Sequence, residues 1–524
     1  MVLIGLLGIV ISLFGSDALS GGSQVALLMG LAVCVFISMV FYHVPWQAFE
    51  QQIAKTLGGV AVTILILLAV GMLAGSWMVS GIVPTLIYYG VQLLSPQLFL
   101  LCACIICALV SLLSGSSWTT IATIGVALLG ISHALGINEA VAAGAIISGA
   151  YFGDKMSPLS DTTILASSTT GVDLFTHIRY MMFTTMPAFT ITLIIFAAMG
   201  FGLANDCEVH VHQYTEGLSA TYHISLWTLI VPVLTAILIA RRVPSLIVLF
   251  LSAMMAGIMA LILQPHILMQ IGAPSNLPQL GEAIIPPHPS NLPPLGSAAF
   301  VAGAEKELGE AILPPHPSNL PLGSAAFVAG AEKELGEMAA LIKGLAITFY
   351  GATSIDTGYD ELNELVSTGG MTGMLNTIWL ILCAMCFGAV MVASGMIESI
   401  TRVVISWVRS RVGLVASTAS TGLFLNITTG DQFISIVLTA NMFQNVYERQ
   451  GYEARLLSRT AEDSATVTSV LVPWNTCGMT QSTVLGVPTI AYLPYCFFNI
   501  LSPVMTIVVA AIGWKIKQGY KKAS

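Results

Sequence analysis

Long apolar runs separated by short polar breaks recur along nearly the whole chain, and this pattern predicts a bundle of membrane-crossing helices. About twenty helical residues cross the ~30 Å hydrocarbon layer. Candidate spans, several of them near that length, fall at 25–42, 60–79, 82–94, 98–113, 121–135, 181–203, 226–240, 245–263, 375–396, 414–425, 434–443 and 490–514. A shorter run at 2–14 precedes Lys55, the first Lys or Arg of the chain, so no basic leader marks it as a signal peptide and a first membrane helix is expected there. The expected fold class is therefore all-α, a polytopic transmembrane helical bundle. It is expected to divide into a membrane half at 1–263, a Pro-rich loop at 264–337 and a second membrane half at 338–524.

Composition sharpens this picture. Of 524 residues, 56% are hydrophobic and only 8% charged, with a mean hydropathy of +0.87, whereas a soluble domain carries about a quarter charged residues. A water-facing surface cannot be built from such a chain. The net charge of −8 is spread over loops of both signs, and no basic patch suggests nucleic acid. Lys and Arg are retained on the cytoplasmic side, which places Arg241 and Arg242, then Arg402, Arg409 and Arg411, then Arg449, Arg455 and Arg459, and the tail residues Lys515, Lys517, Lys521 and Lys522 in the cytoplasm. The loop 206–223 has neither Lys nor Arg and is expected outside, with His210 and His212 in water.

Two features look like sites and are better read as structure. Cys102, Cys104 and Cys107 lie inside an apolar run with no His or second thiol pair at zinc-site spacing, so they are expected to be small helix-packing residues. The Pro-rich segment contains a near-exact tandem duplication, GEAIIPPHPSNLPPLGSAAFVAGAEKELGE from Gly281 and GEAILPPHPSNLPLGSAAFVAGAEKELGE from Gly309. Two copies are too few for a solenoid. His288 and His316 sit at the same place in each copy and are one observation, not two.

The chemistry is concentrated in SGAYFGDKMSPLSDTTILASSTTGVDLFTHIRYMMFTT, which begins at Ser148. Gly153 and Pro158 interrupt a helix here and leave backbone groups without intrahelical partners. Beside the break stand Asp154, Lys155 and Asp161, with Ser157, Ser160, Thr162 and Thr163 between and after them. Sodium is a hard ion that prefers carboxylate, hydroxyl and carbonyl oxygen, and a partly desolvated carboxylate accepts either a proton or a sodium ion. Asp154 and Asp161 are therefore the expected sodium ligands, supported by Ser157, Thr162 and Thr163. Lys155 is expected to pair with Asp154 or Asp161, or to reach water.

The second half has the same order of features. LNITTGDQFISIV, with Asn426, Gly430 and Asp431, is followed by LLSRTAEDSATVTSVLVPWNTCGMTQSTVLG, from which Asp463, Asn475 and Thr476 are expected to complete the cation and proton site. In the first half, SLLSGSSWTTIATIG precedes the Asp154 stretch. Interrupted segments in corresponding positions of two halves point to a transporter site between repeats.

The string GAYFGDKMSPLSDTT followed by TTGVDLFTHIRYMMFTT resembles the hallmark of the NhaC-type sodium/proton antiporters, a family that includes an exchanger of malate and protons for sodium and lactate. The resemblance runs from about residue 4 to 514. It implies a multi-pass antiporter of the cell inner membrane with two inverted repeats and broken or re-entrant helices. Sodium ions and protons are then the expected partners, exchanged by alternating access, with malate or lactate as alternative cargo. No nucleophile with a base and no nucleotide-binding loop is present, so neither an enzyme nor a cofactor is expected.

Overall fold

A computed structural model describes residues 21–202, 207–241, 243–273, 322–399 and 410–516. The run at 2–14, the 281–321 part of the duplication, Arg242, Arg402, Arg409, Lys517, Lys521, Lys522 and the side chain of His210 lie outside the described residues. Among those described, eight helices are long and apolar enough to cross a membrane, or up to ten if each of two bent pairs is one span. Large apolar side chains cover the outer surface, with Leu93 84%, Phe201 75% and Ile512 73% exposed. Such a surface is stable only against lipid, and the chain is a multi-pass membrane protein.

Several expected elements take a different form. The run at 490–514 is two helical pieces, Thr489–Tyr495 and Phe497–Ile512, meeting at 55°. The span at 226–240 begins with a 3-10 turn and lies at 90° to Tyr214–Thr221, and the expected external loop is largely helical over Cys207–Thr221. Gln264 fixes that corner, its Oε1 accepting from His223 N and its Nε2 donating to His223 O, both at 3.1 Å.

The chain separates into two compact units, Met1–Gln264 with Thr348–Ser524, and Pro265–Ile347. The segment expected as a loop at 264–337 is helical at both ends, in Pro265–Gly272 and Leu322–Tyr350. These helices touch closely within the smaller unit: a Cβ on Gly272 would come 2.0 Å from the Ala340 carbonyl oxygen, and one on Gly344 1.9 Å from that of Leu268.

Nine helices of the larger unit frame the polar interior. They are α1 Pro96–Ser114, α2 Glu139–Met156, α3 Asp161–Thr169, α4 Leu174–Gly202, α5 Arg411–Thr429, α6 Gln432–Arg449, α7 Ala454–Ala461, α8 Thr476–Leu485 and α9 Phe497–Ile512. The small residues of α2 let α1 approach at backbone distance, since a Cβ on Gly149 would lie 2.1 Å from the Cys104 carbonyl oxygen and one on Gly153 2.2 Å from that of Ala108. In lipid, where apolar burial does not drive helix association, such close backbone contact is a main source of it. Phe152 of α2 stacks on Phe189 of α4 at 3.7 Å, and the edge of Phe498 of α9 closes the contact.

The two halves repeat one another in detail. α1 and α5 end at Gly115 and Gly430, both with φ of 66°, a left-handed conformation that glycine adopts without steric cost. The residues after them, Ser116 and Asp431, cap the next helical segments through Thr119 N and Ile434 N. One turn before each break a side chain crosses to the partner helix, Ser111 Oγ to Ala150 O at 2.6 Å and Asn426 Nδ2 to Ala465 O at 2.7 Å. The second break carries Pro158 in one half and Pro473 in the other, and resumes at the caps Ser160 and Asn475. One constant sequence interval relates every one of these pairs.

Candidate ion-binding site

Asp154 occupies the last turn of α2 and is 7% exposed. Its Oδ2 accepts from the Ser117 backbone N–H at 3.1 Å and from Ser117 Oγ at 2.7 Å, so the first break of this half clasps the carboxylate of the second. Lys155 is fully buried. Its Nζ pairs with Asp463 and donates to Ser502 Oγ of α9 at 2.9 Å, with the Phe498 ring 5.8 Å away. The expected partners were Asp154 or Asp161. The lysine instead reaches into the other half, because the end of α2 faces the turn that follows α7.

That turn, Glu462–Thr466, is a π-helix, a wide turn often found at functional sites. Both of its adjacent acids are completely buried. Glu462 Oε1 accepts from Thr162 Oγ1 at 3.1 Å, while Asp463 faces Lys155 and stands 3.9 Å from Arg459 Nε. Lys155 and Asp154 are both close enough for their charges to act on Glu462. Arg459, expected in a cytoplasmic loop, is fully buried in α7. Its guanidinium lies 4.6 Å from the Tyr180 ring centroid, and that of Arg455 lies 4.7 Å from it. A buried guanidinium is tolerated where a π face and a carboxylate replace its water.

Ser157 and Thr163 stabilise the break. Ser157 Oγ accepts from Leu159 N at 3.2 Å, and Thr163 Oγ1 donates to Lys155 O at 3.0 Å. Thr162 joins Ser160 to Glu462. Asp161 is exposed at the first turn of α3, at the edge of this group. Asn475 and Thr476 belong to a second polar group: Asn475 Nδ2 donates to Asn426 O at 3.2 Å, Thr476 N to Gly430 O at 2.8 Å, and Thr476 Oγ1 to Asp431 Oδ2 at 3.5 Å. The structure thus brings Asp154, Thr162 and Asp463 into one charged cluster with Lys155, Glu462 and Arg459, and groups Asn475 and Thr476 with Asp431.

Glu462 and Arg459 were not among the residues expected in the site. The usable signal was RTAED itself, in which Arg459 and Asp463 are four residues apart on one helix face. Among the described residues no three His, Cys, Asp or Glu side chains converge as a metal-holding group, and the eight described cysteines are free.

Paired helix breaks around buried carboxylates, within a multi-pass bundle, define a membrane transporter built from two repeats. Residues 149–273 and 323–514 match the Na+/H+ antiporter family, and the chain belongs to that family. It is 34% identical over 486 residues to the Na(+)/H(+) antiporter NhaC of Alkalihalophilus pseudofirmus, covering 92% of this chain and 89% of that protein. It is 30% identical to the malate-2H(+)/Na(+)-lactate antiporter of Bacillus subtilis, covering 94% and 92%. Similarity to the arginine/ornithine antiporter ArcD of Halobacterium salinarum is also 30%, over 98% and 90%.

Proposed function

We propose that this protein exchanges sodium ions for protons across the cell inner membrane by alternating access, with Asp154 at the centre of the exchange site. The observation that carries this reading is the buried meeting of Asp154, Glu462 and Asp463 with Lys155 and Arg459, the fully buried cations among the described residues, placed where helices of both repeats are interrupted. Intramembrane ionisable groups are costly and are kept for transport or proton relay. Ser157, Thr162 and Thr163 shape the break around the site, Asp161 forms its exposed rim, and Asp463 holds the fixed cations in place. Asn475 and Thr476, with Asp431, form the corresponding break of the second half, which completes the ion path. Each charge moved across 100 mV is worth about 2.3 kcal/mol, so an unequal exchange would let the membrane potential expel sodium. Arg241, Arg411, Arg449 and Lys515 are assigned to the cytoplasmic side on the charge rule.

The alternative, exchange of an organic anion such as malate or lactate, draws on the buried guanidinium of Arg459, which could receive a carboxylate. Its face is covered by Tyr180 and its edge is turned to Asp463, and sodium/proton exchange is the stronger reading. The test is proton movement on adding sodium to everted vesicles, followed by fluorescence dequenching, with and without malate or lactate. Sodium alone should drive it, and Asp154→Asn should abolish it at normal membrane content. Movement that needs the organic anion would support the alternative, and parental activity in Asp154→Asn would place the site elsewhere.

A further inference from the structure

Charge accounting in the buried cluster leaves one carboxylate over. The fixed cations are Lys155 and Arg459, and both are directed to Asp463. Asp154 has its negative charge answered by the Ser117 backbone N–H and hydroxyl. His177 is hydrogen-bonded through Nδ1 to Ser458 Oγ at 2.7 Å and makes no ion pair with these carboxylates. Arg455 is paired with Glu453, and Asp161 lies at the exposed edge. Glu462 remains. It receives one hydrogen bond, from Thr162 to Oε1, and its Oε2 has none of good geometry. Thr466, four residues further along the π-turn and beside the same carboxylate, is also fully enclosed and its Oγ1 also lacks a well-formed hydrogen bond.

The Thr466 hydroxyl reaches the Glu462 carboxylate only loosely, and oxygens held this weakly in a dry interior are costly unless something bridges them. A proton on Oε2 or a small hard cation between Oε2 and Oγ1 would serve, and only one of them fits at a time. A π-turn suits this use, because its widened register leaves room beside the helix that a regular α-turn would fill. We propose that Glu462 and Thr466 form the seat at which the exchanged monovalent cation binds, a buried carboxylate that makes no ion pair with Lys155 or Arg459 and whose second oxygen, unlike the Ser117-clasped oxygen of Asp154, has no well-formed hydrogen bond. The proposal rests on the sodium/proton reading and names the residues that carry its cargo. Thr162 positions the carboxylate, and Lys155 with Arg459 keeps Asp463 from competing for the ion.

The full-length protein in liposomes allows two measurements, equilibrium binding of radioactive sodium without a gradient, and sodium-driven proton flux. Glu462→Gln keeps the shape and removes the charge, and should lower sodium binding at least about tenfold, since a charged ligand is worth more than one such factor. Glu462→Asp should retain flux with half-saturating sodium raised several-fold, and Thr466→Val should raise it likewise with the maximal rate little changed. Asp173→Asn is the control. That carboxylate is exposed before α4, where hydrogen bonds from the Thr176 backbone N–H and hydroxyl hold it below the usual carboxylate range, and an amide caps the same turn. Parental sodium binding in Glu462→Gln would overturn the proposal. Should that variant not fold, parental half-saturation in both Glu462→Asp and Thr466→Val would do so. A parent that binds sodium through Glu462 yet moves no protons would instead sink the exchange reading and leave the seat standing.

Discussion

At the residue scale the Lys155 and Asp463 pair is a structural commitment as well as an electrostatic one. Both side chains have no exposed surface, so removing one leaves the other charged and dry, which costs about 3–5 kcal/mol when a buried pair is broken. Arg459 softens the loss on one side only, because it can stay with Asp463 but repels an orphaned lysine. We therefore expect Asp463→Leu to be more damaging to folding than Lys155→Met. The double variant should recover part of the stability lost in Asp463→Leu, since Lys155 is no longer stranded, while Arg459 still loses its carboxylate partner. Thermal unfolding of the purified proteins in detergent checks this ordering. Equal losses in the two single variants, with no recovery in the double, would mean that the pair does not act as a unit.

At the element scale the decisive contact is between α1 and α2. The run EAVAAGAIISGAYFG reads in sequence only as small and apolar, yet it sets how closely α2 lies on α1 and hence where the Asp154 end of α2 meets Ser117. Gly149→Val would drive a Cβ into the Cys104 carbonyl, which sits 2.1 Å from its ideal position. Backbone cannot yield as a flexible side chain does, and overpacking of this kind costs about 1–3 kcal/mol or more. The expected outcome is a lowered unfolding temperature together with a lost exchange rate. Gly336→Val, where a Cβ meets nothing within 4 Å, should change neither. An unaltered unfolding temperature in Gly149→Val would show that the two helices can separate freely.

At the scale of the whole molecule the question is what the duplication adds. Deleting residues 309–337 removes the start of the Leu322–Tyr350 helix, but joins the same LGSAAFVAGAEKEL sequence of the first copy to Met338. The helix can therefore be rebuilt from nearly identical residues, and the shortened connection costs little because loop closure depends only logarithmically on length. We expect sodium-driven proton movement in everted vesicles within a few fold of the parent at equal membrane content. Complete loss in a normally inserted deletion protein would assign the second copy a role in transport.

The spans, the two interrupted regions in each half and the polar stretch around Asp154 were legible in the sequence, because the hydrocarbon layer imposes a length and an apolarity on every crossing helix, and Gly, Pro and hydroxyl residues gather where helices stop, although Gly149 and Gly153 lie inside α2 and Pro187 and Pro503 inside α4 and α9. Helix breaks, caps and small-residue runs are local, so composition and spacing report them. Which charge meets which was not local. Lys155 neighbours Asp154 in sequence and pairs with Asp463 from the other half; Arg459 sits among residues that read as a cytoplasmic loop and is fully enclosed; Asp161 reads as the twin of Asp154 and faces outward. Coulomb attraction and burial depend on distances across the bundle, and those distances follow from how α2, α7 and α9 cross, which only the tertiary structure decides.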